Sequence, residues 1–297
     1  MFDLTPDPIA FSIGPIDVFW YGIAYATGLV AVYALLTRLA ARAGRPPELV
    51  GNGMIIVAIA ALVGGRLYHV IDQWHLYSDN LAAIVLPPYS GLGVYGGLAT
   101  GTLAAYVYTR YLREPFWAWA DIIAPGLFLM QAIGRWGNFF NQELYGPPTT
   151  LPWGIPIDCA HRVAQYSCET LPFETTHFHP LFLYESLSGL VGMLALLFLG
   201  SRFRDRLRPG DLVLFFFIWY GIVRFALETL RVNVWTFQGI PTAMLVSALF
   251  VGVALAVLAY RHRPGRPPDL EPASPDATEG QPTDDVDAGP KEAPSAG

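Results

Sequence analysis

The composition of the chain places it in a lipid bilayer. Its 297 residues are 53% hydrophobic and only 14% charged, with a mean hydropathy of +0.39, which is too apolar and charge-poor for a soluble protein of this length. Many of the acidic residues behind the net charge of −6 lie near the C-terminus, and the few basic residues form no stripe suited to nucleic acid. We therefore expect an integral membrane protein with no nucleic-acid partner.

Seven apolar segments are long enough to cross a bilayer as helices of about 20 residues. They predict an all-α integral membrane protein, a bundle of seven transmembrane helices within a membrane domain at 1–263. The predicted spans lie near 16–37, 49–70, 91–109, 116–134, 180–200, 211–230 and 240–260.

The basic residues predict the orientation of these spans, because short cytoplasmic loops collect Lys and Arg. Twelve of the 18 Lys and Arg follow spans one, three, five and seven, which are alternate connections on one side. The N-terminus is therefore expected outside and the C-terminus in the cytoplasm. Four other arginines lie in or at the outer ends of spans, where a charge needs a partner or a ligand. These are Arg66, Arg135, Arg224 and Arg231.

Two polar regions complete the predicted organisation. A long Pro-rich external loop, at about 141–178, joins spans four and five and contains Cys159 and Cys168. These cysteines form either a disulfide or two ordinary thiols, since a metal site would need more ligands. Residues 264–297 are rich in Pro and acidic side chains, which predicts a disordered cytoplasmic tail.

The stretch GRWGNFFNQELYG at 134–146 concentrates polar side chains after an apolar run. A guanidinium, three carboxamides and a carboxylate follow within ten residues, and an ionised residue at membrane depth costs about 2.5–3.5 kcal/mol. The alternatives are a solvated loop after a helix and a binding site. The polar residues are Arg135, Asn138, Asn141, Gln142 and Glu143.

Span six places four polar side chains on one helix face. Tyr220, Arg224, Glu228 and Arg231 are spaced 4, 4 and 3 residues apart, so they follow one another along the helix. One alternative is that Arg224 and Glu228 only neutralise each other. Two arginines against one glutamate nevertheless leave a positive face suited to an anion.

Further polar residues lie near the outer ends of other spans. Glu185 lies inside an apolar run and needs a partner, whereas His179 precedes a proline at a helix start and Arg66 ends span two. Tyr21 is explained by the aromatic belt at the membrane interface, and Tyr95 is an interfacial tyrosine unless its hydroxyl group faces a cavity. Because arginine binds phosphate through bidentate hydrogen bonds, a phospholipid head group is the anion that best fits this set. The sequence has no motif for a metal, a nucleotide or another cofactor.

These motifs resemble those of the bacterial phosphatidylglycerol–prolipoprotein diacylglyceryl transferases. The segment GRWGNFFNQELYG at 134–146 is similar to the signature of that family. Three motifs support it: GGRLYH at 64–69, HPLFLYE at 179–185 and YGIVRFALETLR at 220–231. The resemblance covers about 10–262 in the order of the family and leaves out the tail.

The resemblance implies an enzyme of lipoprotein maturation. It would transfer the diacylglyceryl group of phosphatidylglycerol to the lipobox cysteine of a prolipoprotein signal peptide, releasing glycerol phosphate. It also implies the bacterial cytoplasmic membrane, surrounding membrane lipid, and an active site toward the external side. The positions that match functional residues of the family are Arg135, Asn138, Glu143, Gly146, Arg224, Glu228, Arg231 and Tyr21.

The chain departs from the pattern of the family at one position. Many members have a histidine before the Gly-Gly of span three, considered as a catalytic base, and this chain has Tyr95. Tyrosine ordinarily ionises near pH 10, so it is a poor base at neutral pH. We therefore favour the interpretation that the histidine is not required for the chemistry.

The mechanistic hypothesis follows from the reaction. A thiolate attacks the glycerol carbon attached to phosphate, and the charge on the leaving phosphate must be neutralised. We expect Arg135 and Arg224 to hold the phosphate, Asn138 to orient the head group, and Glu143 to position an arginine or accept a proton. The expected substrate-binding residues are Arg135, Tyr21, Arg66, Asn141, Gly146, Glu228, Arg231, Tyr95, His179 and Glu185.

Two alternatives remain at this point. A transporter or lipid-binding membrane protein would use the same arginines to hold an anion without covalent chemistry, although the sequence shows no obvious inverted repeat or pair of broken helices. The other is a family member that has lost activity, for which Tyr95 is the only hint. A diacylglyceryl product on a lipobox peptide distinguishes an enzyme from both.

Overall fold

The computed structural model describes residues 5–85, 91–232 and 234–265. Within them the chain is mostly helical, as predicted. The elements are β1 (Ile9–Ile13), β2 (Ile16–Phe19), α1 (Trp20–Arg42), α2 (Glu48–Asp72), α3 (Val94–Tyr111), α4 (Phe116–Phe140), α5 (Leu181–Arg202), α6 (Asp211–Glu228), β3 (Thr236–Phe237), β4 (Ile240–Pro241) and α7 (Thr242–Arg261).

Five of the described helices, α1, α2, α4, α5 and α7, are long and apolar enough to cross a membrane. The other two long helices are less apolar. Helix α6 carries Asp211, Arg224 and Glu228 within 18 residues, and α3 contains several glycine, threonine and tyrosine residues. These findings support an all-α membrane protein. The count of seven spans, their orientation and the side on which the long loop lies stay predictions.

Three predicted span boundaries differ from the helix ends by two to four residues, and the differences have one physical reason. Span one was expected from residue 16, but β2 occupies Ile16–Phe19 and pairs antiparallel with β1. The β3–β4 hairpin likewise delays the start of α7 to Thr242. Helix α6 ends at Glu228, so Arg231 follows the helix in a turn instead of extending its face. Short apolar strands and helix ends have the same composition, so hydropathy alone does not separate them.

Helix α4 lies at the centre of the bundle, where it packs against α1, α5 and α6, while α2 pairs with α3 and α7 with α6. Small residues allow the close approaches, as expected between helices in lipid. A Cβ on Gly189 of α5 would lie 2.9 Å from the Phe128 carbonyl oxygen of α4. The predicted Gly64-Gly65 and Gly96-Gly97 notches lie between α2 and α3, where the Gly93 N–H donates to the Gly65 oxygen at 2.8 Å.

Residues 141–180, called here the α4–α5 loop, fold into a packed unit. Its core residues Tyr145, Ile155, Ile157 and Phe178 cluster with Phe182 of α5, and Phe178 forms isolated bridges to Pro148 and Ile155. Cys159 and Cys168 form a disulfide, which decides between the two alternatives left by the sequence.

Two carboxylates, those of Asp121 and Asp211, hold the N-terminal end of α6. Asp121 of α4 accepts hydrogen bonds from the N–H groups of Gly210 and Val213, at 2.6 and 2.9 Å. Asp211 is fully buried, and its Oδ2 lies 2.7 Å from His262 Nε2. These contacts set the position of the helix that carries Arg224 and Glu228. Most of the predicted tail, residues 266–297, lies outside the described residues.

Candidate active site

A buried glutamate joins two of the predicted arginines. Glu185, on the first turns of α5, is 2% exposed. Its Oε2 lies 2.6 Å from Arg135 Nη2, and its Oε1 accepts from Arg231 Nη2 at 2.5 Å. The sequence indicated that Glu185 needs a partner, and it has two, one from α4 and one from the segment after α6.

Glu228 continues this network along α6. Arg224 donates to Glu228 one helical turn away, and Arg231 Nε lies 3.8 Å from Glu228 Oε2. Glu228 is 4% exposed. The intrahelical pair considered from the sequence is therefore present, but it belongs to a larger cluster. We call Arg135, Glu185, Arg224, Glu228 and Arg231 the ion-pair cluster.

The signature segment adds polar groups beside this cluster. Helix α4 extends to Phe140, so residues 134–140 are helical and the solvated-loop interpretation is wrong for them. Asn138 is 8% exposed; its Oδ1 lies 3.5 Å from Arg135 Nη1, and its Nδ2 donates to Glu143 Oε1 at 2.7 Å. Asn141 caps the helix, with its N–H bonded to the Gly137 oxygen.

The charges of the cluster favour an anion. Three arginines face two buried glutamates, which leaves one positive charge in excess. The arginine side chains are 19–30% exposed and the two glutamates 3%, so the guanidinium groups lie on the open side. Among the described residues, the buried Nε of Arg135 has no hydrogen-bond acceptor. Guanidinium groups held in this way can bind a phosphate through several charge-assisted bonds.

Gly146, the last residue of the signature segment, lies very close to the backbone of two other segments. Its N–H donates to the His179 oxygen at 2.9 Å. A Cβ at this position would lie 3.0 Å from the Leu230 oxygen and 3.1 Å from the His179 Cβ. Gly146 therefore brings the signature, the start of α5 and the end of α6 together, which is a packing role.

His179 belongs to a hydrogen-bonded group that the sequence did not predict. Its Nδ1 lies 3.0 Å from the Tyr184 hydroxyl, which also accepts from Trp153 Nε1 at 2.8 Å. Trp153 comes from the α4–α5 loop, 31 residues before Tyr184. No local pattern in the sequence connects them.

The contacts of Tyr21, Arg66 and Tyr95 are made outside the ion-pair cluster. The Tyr21 ring packs closely against Gly137 of α4, where an added Cβ would lie 2.6 Å from the ring. The Tyr21 ring also stacks on that of Tyr25. Arg66 donates to backbone oxygens of the α2–α3 connection, including that of Ala83 at 2.8 Å. Tyr95 is 55% exposed, and its ring lies 6.2 Å from Tyr68 in the same α2–α3 pair.

An apolar groove of about 380 Å³ runs between α1, α4 and α5. Trp136, which follows Arg135, lies in its wall. Most of the side chains that line the groove are apolar, which suits hydrocarbon. Other wall residues are Trp20, Ile23, Leu129, Phe140 and Leu190.

Sequence comparisons identify the family. Residues 8–260 match the family model described as prolipoprotein diacylglyceryl transferase. A phosphatidylglycerol–prolipoprotein diacylglyceryl transferase of Chloroflexus aggregans is 38% identical over 264 residues, covering 84% of this chain and 87% of the relative. The proteins of the same name from Nostoc sp. and Streptococcus pneumoniae are 36% and 33% identical, covering 93% and 88% of this chain and 96% of each relative. The resemblance of the motifs is thereby confirmed, and the chain belongs to the prolipoprotein diacylglyceryl transferase family.

Proposed function

We propose that this chain transfers the diacylglyceryl group of phosphatidylglycerol to the lipobox cysteine of prolipoproteins. Membership of the family and the names of the relatives support the activity and both substrates. The structural observation that carries the proposal is the ion-pair cluster, in which Glu185 holds Arg135 and Arg231 together at the end of the signature helix.

The reaction forms a C–S bond and breaks a C–O bond and the thiol S–H bond. The cysteine sulfur bonds to the glycerol carbon that carries the phosphate, the C–O bond to phosphate breaks, and glycerol phosphate leaves with the bonding electrons. The thiol proton is lost before or during the attack. Both the thiolate and the leaving phosphate are anions, so a fixed positive field stabilises the transition state more than the neutral thiol.

The arginines supply this field in the proposal. Arg135 and Arg224 hold the phosphate, because their guanidinium groups lie on the open side of the cluster. Glu185 and Glu228 hold the arginines in place from the buried side. Asn138, bonded to Glu143, orients the head group next to Arg135. Glu143 positions these groups or accepts the thiol proton.

The orientation in the membrane and the side of the active site belong to the same proposal. We infer a multi-pass protein of the bacterial cytoplasmic membrane, with its active site toward the external side and its C-terminus in the cytoplasm. The distribution of Lys and Arg along the sequence supports this orientation. The groove between α1, α4 and α5 has apolar walls next to Arg135, which suits an acyl chain of the lipid.

The test is a covalent product. The purified protein in phosphatidylglycerol vesicles is incubated with a lipobox peptide, and the peptide mass is measured. We expect a mass increase of one diacylglyceryl group, which is absent when the peptide cysteine is serine or when phosphatidylethanolamine replaces phosphatidylglycerol. Lipid binding without any product would refute the transferase and favour the transporter alternative.

A further inference from the structure

Gln142 and Asp158 are joined by two reciprocal hydrogen bonds between the signature and the α4–α5 loop. Gln142 Nε2 donates to Asp158 Oδ2 at 2.8 Å, and the Asp158 N–H donates to Gln142 Oε1 at 2.9 Å. The Gln142 residue is 5% exposed. Both the oxygen and the nitrogen of the Gln142 carboxamide therefore form hydrogen bonds. The pairing requires an amide at one of the two positions and a carboxylate at the other.

Gln142 lies in an uncommon backbone conformation next to a functional residue. Its φ is +51°, and that of Leu144 is +57°. For residues other than glycine this left-handed region costs about 1–3 kcal/mol and persists where surrounding contacts hold it. Glu143 lies between the two, and its carboxylate accepts from Asn138 Nδ2 at 2.7 Å. The direction of the Glu143 side chain therefore depends on the contacts that fix its neighbours.

Asp158 is itself held from the other side. It precedes a short 3-10 helix, Cys159–His161, and its Oδ1 accepts from the His161 N–H at 3.0 Å. The Cys159–Cys168 disulfide closes the loop that starts directly after Asp158. Tyr145 makes a second connection, since its hydroxyl donates to the His161 oxygen at 3.1 Å and accepts from the Val163 N–H at 2.7 Å.

We propose that Gln142 and Asp158 are positioning residues for the transfer reaction, holding Glu143 against Asn138 and beside Arg135. The inference rests on the proposed function, because it assigns a role in turnover to two residues that act through Glu143. If the pair only stabilises the loop, its loss lowers the melting temperature and leaves the kinetic constants of the folded protein unchanged. If it positions Glu143, its loss lowers kcat.

The experiment exchanges the two chemical groups. Gln142→Glu places two carboxylates opposite each other, and Asp158→Asn places two amides there. The double variant Gln142→Glu/Asp158→Asn restores one amide and one carboxylate, with the backbone N–H of residue 158 still able to donate to the side chain of residue 142. Thr170→Ala is the matched control, because the Thr170 hydroxyl bonds to the Ser167 oxygen in the same α4–α5 loop and makes no contact with Gln142 or Asp158 that the structure records among the described residues. All four proteins and the parent are assayed for kcat, for KM with phosphatidylglycerol and for melting temperature.

We expect each single variant to lower kcat by about 10–100-fold with KM changed less than about threefold, since small displacements of a positioned group have effects of this size. The double variant should recover kcat to within about threefold of the parent, as a coupled pair does in a double-mutant cycle. Should Gln142→Glu fail to fold, Asp158→Asn and the double variant carry the comparison.

The inference is wrong if the single variants retain the kcat of the parent, or if the double variant loses as much activity as the single ones. If the parent protein forms no diacylglyceryl peptide, that result contradicts the proposed function, and the inference fails with it. A parent that forms the diacylglyceryl peptide while the exchange gives no rescue contradicts the inference alone.

Discussion

Arg135 of α4 and Glu185 of α5 form an ion pair between two helices joined by a long loop, with Arg135 Nη2 2.6 Å from Glu185 Oε2. The glutamate side chain is 3% exposed and the arginine side chain 30%. The carboxylate therefore works as a buried anchor that presents the guanidinium group to the open side. The same carboxylate also holds Arg231, so one residue sets the geometry of two arginines.

Replacing Glu185 with Gln should weaken both stability and turnover. Two guanidinium groups then lose their shared charge, and a lost hydrogen bond to a charged group costs about 1.5–3 kcal/mol. We expect a lower free energy of unfolding in detergent and a fall in kcat. Ser201→Ala is the control, because it removes a local hydroxyl bond at the opposite end of α5. Parent-like values for both quantities would show that Glu185 is not the anchor.

Arg135→Lys and Arg224→Lys should each abolish most turnover while the protein stays folded. Lysine keeps the charge but cannot reproduce the planar fork that binds phosphate in two places. We expect kcat to fall by at least about 100-fold, the size seen when one donor to a developing anion is removed. Labelled phosphatidylglycerol transfer to a lipobox peptide measures it, with the exposed Arg202→Lys as control. Full activity in either variant would contradict the assigned role.

Tyr95→Phe should separate binding from proton transfer at the position where the resemblance to the family implies a histidine. Tyr95 is exposed on the first turn of α3, beside Tyr68. If it contacts the lipid without serving as the base, loss of the hydroxyl raises KM for phosphatidylglycerol and leaves kcat within about threefold. A fall in kcat of about 100-fold or more would instead indicate that Tyr95 takes part in the chemistry.

Removing the disulfide should loosen the α4–α5 loop. The double variant Cys159→Ala/Cys168→Ala opens a ring whose ends are nine residues apart, and such a cross-link contributes about 2–4 kcal/mol. We expect a lower melting temperature and faster proteolysis within 158–171 in detergent. Unchanged proteolysis would show that packing around Phe178 holds the loop without the disulfide. Each single cysteine variant should behave like the double one, since either removes the bond.

Acid should destabilise the α4–α5 loop through Asp158. Burial alone would raise the pKa of Asp158, but the hydrogen bonds from His161 and Gln142 outweigh it and hold the pKa below its ordinary value of 3.8. The stabilisation is therefore complete above the ordinary value and is lost as the pH falls through the lower, folded one. We expect the melting temperature of the parent to fall in this acidic range more steeply than that of Asp158→Asn. Parallel curves would contradict the assignment.

The sequence alone predicted the class of protein and its family. Apolar runs of about 20 residues identify membrane helices because the thickness of the bilayer fixes their length. The signature at 134–146 and its supporting motifs identified the family, which the comparisons confirm. Local spacing also predicted the Arg224–Glu228 pair, since residues four apart on a helix are neighbours.

Only the tertiary structure decided which charges meet. Glu185 pairs with Arg135 and Arg231, 50 and 46 residues away, because α4, α5 and the end of α6 pack side by side. Gln142 bonds to Asp158 because the α4–α5 loop folds back on the signature. Composition and spacing report on neighbours along the chain, whereas these contacts depend on the packing of distant segments. The sequence therefore determined which polar groups are present and which of them are neighbours on one helix, and the fold determined the partners from distant segments.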